Sequence, residues 1–402
     1  MKPYKAVLVG KGYMLPFALI TLLFFLWGFA RAILDVLNKH FQDVLNISIT
    51  QSTLIQVTTY LCYFIMAIPA GLFINRYGYR LGVVFGLLLF GAGSLLFIPA
   101  EALGTFEAFL VGLAVIGCGL AFLETAANPY STELGPKETA TSRLNLSQSF
   151  NGLGSVFAPL LVGRFLFDGE EGNSVAFLYS VMGFLVFAVA FVFSRVKLPE
   201  IVHEEAPEEH TSPSSSIQNL KQLFHHSYFV LGLLALLAYE VSEISINSYF
   251  INFVTGQGWL SLTQASDILA VALTFFMVGR FIGSWVMQRI AAEKVLLFCA
   301  SCCVVCIALV LCNLGELSMV ALILNYVFEA IMFPTIFSLA LSGLGNLTKS
   351  ASSLLMMTPV GGCGFLLMGL MADGISLVLP FVIPFLGFLL VWIFAFRAVR
   401  RK

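Results

Sequence analysis

The sequence predicts an all-α membrane protein, with twelve transmembrane helices arranged as two pseudo-symmetric six-helix halves. Three observations carry this reading. Of 402 residues, 59% are hydrophobic and only 11% are charged, whereas a soluble domain holds about a quarter charged residues. The apolar residues form blocks of roughly 20 or more, long enough to cross a bilayer, and the charges collect between them. Short pieces of the first half recur in the second at a constant offset. Such runs satisfy their backbone hydrogen bonds internally only as helices, since transmembrane strands would alternate over roughly ten residues.

In chain order the blocks place spans at residues 14–36, 49–74, 80–99, 104–130, 145–167, 174–195, 226–251, 265–288, 294–313, 317–343, 350–372 and 376–397. An even number returns both termini to one side. Lys and Arg accumulate on the cytoplasmic side. With the N terminus inside, all of the 21 Lys and Arg fall in cytoplasmic segments except four: Lys39 and Arg164 near the opposite face, and Arg31 and Arg280 within spans. Both termini are therefore expected in the cytoplasm. The basic residues serve topology, and the net charge of -1 points to no nucleic-acid partner. The first span is preceded by a short segment and lacks a small-residue cleavage site, so it reads as a retained helix. The bilayer is the expected environment and a monomer the expected state.

Residues 196–224, "VKLPEIVHEEAPEEHTSPSSSIQNLKQLF", are rich in Glu, Pro and Ser and read as a solvated connection. The chain accordingly divides into an N-terminal half (residues 1–196), a cytoplasmic linker (197–224) and a C-terminal half (225–402). "LETAANPY" in span four matches "FEAIMFPT" in span ten, so that Glu124 and Pro129 correspond to Glu329 and Pro334 at a separation of 205 residues. Asp35 and Glu240 have the same separation, and "NGLG" at 151–154 has a displaced counterpart in "GGCG" at 361–364. The common order favours a duplicated six-helix unit.

The cysteines of "CASCCVVC", Cys299 to Cys306, sit in an apolar helix with no His or carboxylate close in sequence, and read as small hydrophobes. None of the five histidines lies deep in a span. No metal, cofactor or nucleophile constellation is therefore expected, and an enzyme is disfavoured.

After span two, "GLFINRYGYRLG" carries Gly71, Asn75, Arg76, Gly78 and Arg80. Glycine permits close packing and a tight turn, and the arginines can bond helix C-terminal carbonyls and acidic partners. This loop resembles the signature between helices two and three of the major facilitator superfamily, with Asn75 where that signature usually has Asp. The segments "PFALITLLFFLWGFARAILDVLNKHFQ", "GLAFLETAANPYSTELGP", "RLNLSQSFNGLGS", "GRFIGSW" and "FPTIFSL" narrow the resemblance to the fucose:proton symporter family of that superfamily. It implies the major facilitator fold and cation-coupled uptake of a monosaccharide by alternating access. It also implies that Glu124 takes part in proton coupling and substrate binding, and that Asp35 is a coupling carboxylate.

Five acids lie within the spans: Asp35, Glu124, Glu240, Glu243 and Glu329. Each is costly in hydrocarbon unless paired, protonated or facing water, and such an acid is suited to taking up and releasing a proton. Glu124 shares a helix face with Gly117, Ala121 and Asn128. Arg31 lies one turn before Asp35, with Trp27 a turn further back; it can pair with Asp35 or turn toward Glu124 or a C-terminal acid. Tyr239, Glu240, Glu243 and Asn247 cluster in span seven, and Asn325 lies one turn from Glu329. Gln148, Asn151 and Ser155 recur at helical spacing in span five, where side-chain amides suit sugar hydroxyls. Trp27, Tyr60, Tyr63, Phe150 and Tyr239 are candidate ring platforms.

The expected function is a proton-coupled symporter for a fucose- or hexose-type monosaccharide in the bacterial inner membrane. Asp35 and Glu124 would couple the proton, and Trp27, Arg31, Glu124, Asn128, Gln148, Asn151, Tyr239, Glu243, Asn247 and Glu329 would bind substrate. Sodium coupling, an amino-bearing sugar, or a proton-coupled antiporter for other small molecules remain alternatives, because acids exceed what the fucose-type pattern requires.

Overall fold

The computed structural model describes residues 9, 12–135, 140–167, 174–196, 222–287 and 289–401, and among them no strand occurs. The first helices are α1 (Met14–Leu45), α2 (Ile49–Ser52), α3 (Leu54–Tyr77), α4 (Tyr79–Leu95), α5 (Phe97–Leu103), α6 (Phe106–Glu133), α7 (Ala140–Phe167) and α8 (Val175–Arg195). There follow α9 (Ser227–Gly256), α10 (Leu262–Met287), α11 (Ala292–Leu311), α12 (Glu316–Glu329), α13 (Met332–Leu341), α14 (Thr348–Leu355), a 3-10 segment (Thr358–Gly364), α15 (Phe365–Gly374) and α16 (Val382–Arg400). Residues 197–221 of the expected linker lie outside the described residues.

Among the described residues, 11 segments are long and apolar enough to cross a membrane. The expected eleventh span, 350–372, is instead divided among α14, the 3-10 segment and α15. Pro359 lacks an N–H and clashes with a continuing helix. Gly361 and Gly364 press against α9, where a Cβ on Gly361 would lie 2.9 Å from the Val241 nitrogen and one on Gly364 2.7 Å from Val241 Cγ1. Span ten is also broken, after Glu329, at Ala330–Ile331. Pro334 cannot donate to the Ala330 carbonyl one turn earlier, and Arg280 Nε donates to that oxygen at 3.2 Å instead.

The chain forms two compact units, one of Met1–Ile47 with Leu54–Val202 and one of Ser48–Thr53 with His203–Lys402. Within the first, α1 packs along α7, α6 packs on α3 and α4, and α8 packs on α4. Within the second, α9 packs along the 3-10 segment, α12 packs on α10 and α11, and α16 packs on α11. The same pattern, helix for helix, is what a duplicated unit produces. Lipid is as apolar as the side chains, so close backbone approach and van der Waals contact hold such helices together. A Cβ on Gly154 would fall on the Phe25 carbonyl and within 2.9 Å of the Phe29 nitrogen of α1. Gly364 likewise packs closely on α9, at Val241.

Large apolar residues remain exposed in stripes. On α3, Leu61, Ile65, Ile68 and Leu72 recur at helical spacing and are all exposed. An apolar stripe of this length fits hydrocarbon and not water, and with the apolar helices it makes this an integral membrane protein.

Candidate functional site

In the first unit, side chains from α1, α3, α6 and α7 meet. Arg31 Nε donates to the Tyr60 hydroxyl at 2.9 Å, with the guanidinium carbon 5.9 Å from that ring's centroid. Arg31 also acts electrostatically on Glu124, and the Glu124 carboxyl is hydrogen-bonded to Asn128. The Gln148 amide in turn donates to Asn128 Oδ1 at 3.3 Å. A polar line therefore runs from Tyr60 and Arg31, across the electrostatic pull of Arg31 on Glu124, to Asn128 and Gln148. Glu124, Asn128 and Gln148 are all half-buried. The cation beside Glu124 makes its charged form tolerable, and the amides supply both donors and acceptors to a ligand.

The helices hold this line by contacts between α1 and α7. Asn151 Nδ2 donates to the Phe24 carbonyl at 3.2 Å and Ser155 Oγ to the Gly28 carbonyl at 3.2 Å. Asn151, expected to bind substrate, thus ties α7 to α1. Trp27 is half-buried and meets Phe24 edge to face. Asp35 is buried on α1, where Asn38 and Gln56 both donate to the Leu34 carbonyl, at 3.0 and 3.4 Å. The Asn38 and Gln56 amides were not singled out from the sequence, although Asn38 lies three residues beyond Asp35 and shares its side of the helix. Tyr60 serves through its hydroxyl, a role that reading it as a ring platform did not anticipate. Phe150 is exposed.

The second unit holds its own acid and amide pairs. Asn247 Nδ2 donates to Glu243 Oε1 at 3.0 Å on α9, and Asn325 Nδ2 to Glu329 Oε2 at 2.7 Å on α12. Both are the one-turn pairs that the helical spacing predicts. Tyr239 is buried and lies within electrostatic range of Glu240, Glu243, Glu329 and Arg280. Arg280 stacks on Phe276, 4.6 Å from its centroid.

At the opposite end of the first unit, Gly78 has φ +85, the left-handed conformation that its turn requires. Arg80 donates to the carbonyls of Phe193 and Ser194, in the last turn of α8. It thus bonds helix C-terminal carbonyls, as expected. Arg76 lies against the Tyr77 ring. A Cβ added at Gly71 would meet open space, so the close packing expected there is not what its missing side chain serves. The Asn75 side chain lies outside the described residues. Arg143, counted with the loop charges, is fully buried and donates to the Ser131 and Gly135 carbonyls, closing the end of α6.

A membrane protein whose described residues are helical and form two like units, each carrying acids held by neighbouring amides within its spans, has the makeup of a membrane transporter. The family model of the Major Facilitator Superfamily matches residues 20–365. The chain belongs to that superfamily and, within it, to the fucose:proton symporter family. It is 35% identical over 384 residues to the glucose/galactose transporter of Brucella abortus, covering 93% of this chain and 92% of that one. It is 33% identical over 418 residues to the L-fucose-proton symporter of Escherichia coli, covering 96% and 93%. The crystal structure of FucP in the outward conformation superposes with a TM-score of 0.73 at 31% identity, covering 96% of this chain and 99% of that chain. The xylose transporter XylE, at 13% identity and a TM-score of 0.72, shares the fold.

Proposed function

We propose that the protein is a proton-coupled uptake symporter for a monosaccharide of the fucose or hexose type, working by alternating access in the bacterial inner membrane with both termini cytoplasmic. It moves its substrate without chemical change. The observation that carries this reading is the line Arg31–Glu124–Asn128–Gln148 in a chain whose relatives are sugar transporters along nearly their whole length.

Glu124 gives and takes the proton, with Asp35 as the second coupling acid of the N-terminal half. Protonated, Glu124 needs no counter-charge and can donate to a sugar hydroxyl. Deprotonated, it is satisfied by Arg31 and Asn128, so emptying the site has an internal partner ready. Asn128 and Gln148 read hydroxyls, and Trp27 offers an apolar face to the C–H side of the ring. A ligand moves the equilibrium between conformations only through unequal affinity for them, so sugar and proton must each favour the state that carries both.

The test is uptake of a labelled monosaccharide panel into vesicles holding the purified protein. Accumulation of a fucose- or hexose-type sugar under an imposed pH gradient, abolished by a protonophore and unchanged without sodium, is the expected result. Strict sodium dependence would overturn the ion assignment, and binding without movement under every gradient would point to a sensor.

A further inference from the structure

The second unit contains buried acceptors that no donor among the described residues serves. Glu329 is fully buried at the last position of α12; its Oε2 takes the Asn325 amide while Oε1 is left without a donor there. Asn325 is likewise fully buried, and its Oδ1 is in the same position. On α9, Asn247, 7% exposed, gives its Nδ2 to Glu243 and leaves its Oδ1 without a donor among the described residues. Both amides therefore turn their donor to a carboxylate and keep their acceptor open beside it. What this group lacks is a proton or another cation.

The surroundings favour the proton. Glu243 and Glu329 repel each other electrostatically, and two ionised carboxylates in one apolar setting cost more than a pair sharing one proton. The break after Glu329 also puts it at a helix C-terminus, where the dipole opposes negative charge. The facing ionisable groups are Tyr239 and Glu240 from α9, Arg280 from α10, and the thiols of Cys303 and Cys306 from α11. Arg280 is the cation among these. The repeat supplies an independent argument. Glu329 stands where Glu124 stands in the first unit, and each has an asparagine one turn away.

We propose that Glu243 and Glu329, with the amides of Asn247 and Asn325, form a second proton-binding site that loads and empties once per cycle, so that each sugar travels with two protons. This rests on the proton-coupled sugar reading above, but the site makes a prediction that needs no sugar. Infrared difference spectra of the purified protein across a pH titration should show a buried carboxylic-acid carbonyl band that E329Q lacks. Identical spectra for wild type and E329Q would overturn the site, whatever the protein transports.

The transport test sets a sugar gradient against a pH gradient in vesicles and finds the point of zero net flux. With the membrane potential clamped at zero, a tenfold gradient carries the same free energy for sugar and for proton, so a tenfold proton gradient should hold about a 100-fold sugar gradient in wild type and about a 10-fold one in E329Q. If E329Q does not reach the membrane, E243Q should give the same fall, since the pair shares one proton. A wild-type ratio of one, an unchanged ratio in these variants, or a second ion that proves to be sodium would overturn the proposal and leave single-proton or mixed coupling of the sugar standing.

Discussion

Arg31 reaches Tyr60 rather than standing alone in the span: its Nε donates to the tyrosine hydroxyl at 2.9 Å, and its charge acts on Glu124. A half-buried cation held by a phenol has a fixed position from which to balance a nearby acid. Loss of one member should therefore strand the others.

Tyr60→Phe removes the acceptor and keeps the ring. The variant should lose about 1.5–3 kcal/mol of stability, the scale of one hydrogen bond to a charged group. Thermal unfolding in detergent measures this, and sugar affinity should fall alongside. Unchanged unfolding would mean that the guanidinium finds an equal partner elsewhere.

Arg31→Gln leaves Glu124 without the cation that acts on it. Converting Glu124 to Gln in the same chain should recover part of the lost stability, because an uncompensated charge costs more than a neutral pair. Equal damage from the single and double variants would count against this coupling.

Glu124→Gln fixes a neutral, hydrogen-bonding mimic of the protonated acid. Exchange of labelled for unlabelled sugar should survive in part, whereas accumulation against a gradient should fail, since the proton that must leave inside is absent. Side-by-side exchange and gradient-driven uptake make the comparison. Normal accumulation by this variant would reduce Glu124 to a structural partner.

Gly154→Leu forces a side chain into the α1 backbone at Phe25 and Phe29. The expected result is a loss of about 1–3 kcal/mol, the scale of overpacking, or no folded protein. Gly71→Ala, which meets open space, should leave folding unchanged in the same expression and unfolding assays.

Asp373, beyond the apolar part of α15, accepts from the Thr50 nitrogen at 2.7 Å and the Ile49 nitrogen at 3.2 Å. Burial pushes its carboxyl upward, but the bonds from Thr50, Ser48 and Ile49 outweigh it and hold the group below the usual carboxylate range. Protection of the Thr50 amide should therefore be complete above about pH 4, the unfolded carboxylate value, and fade only as pH falls through the lower folded value. Hydrogen exchange of wild type and Asp373→Asn, compared at matched pH, should differ at neutrality and converge in acid. A clamp already lost at pH 6 would contradict this.

What the sequence determined by itself was set by local physics. Apolar block length fixes where helices cross, basic residues set the expected orientation, and one-turn spacing correctly paired Asn247 with Glu243 and Asn325 with Glu329. The duplication was legible because a constant offset survives in the chain and reappears as matching packing in the two units. The tertiary structure decided which distant residues meet. Arg31 had three acids or more within its possible reach, and the approach of α3 and α6 to α1 is what brings Tyr60 and Glu124 to it. Asn151, an amide suited to a sugar, bonds the Phe24 carbonyl because Gly28 and Gly154 bring α7 against α1. Span eleven read as one helix because hydropathy records burial and not hydrogen bonding. Its division at Pro359 and the following glycines was settled by how closely that segment meets α9. Helical periodicity is written in neighbours a turn apart, but partners far apart in the chain are chosen by packing, and packing exists only once the helices have assembled.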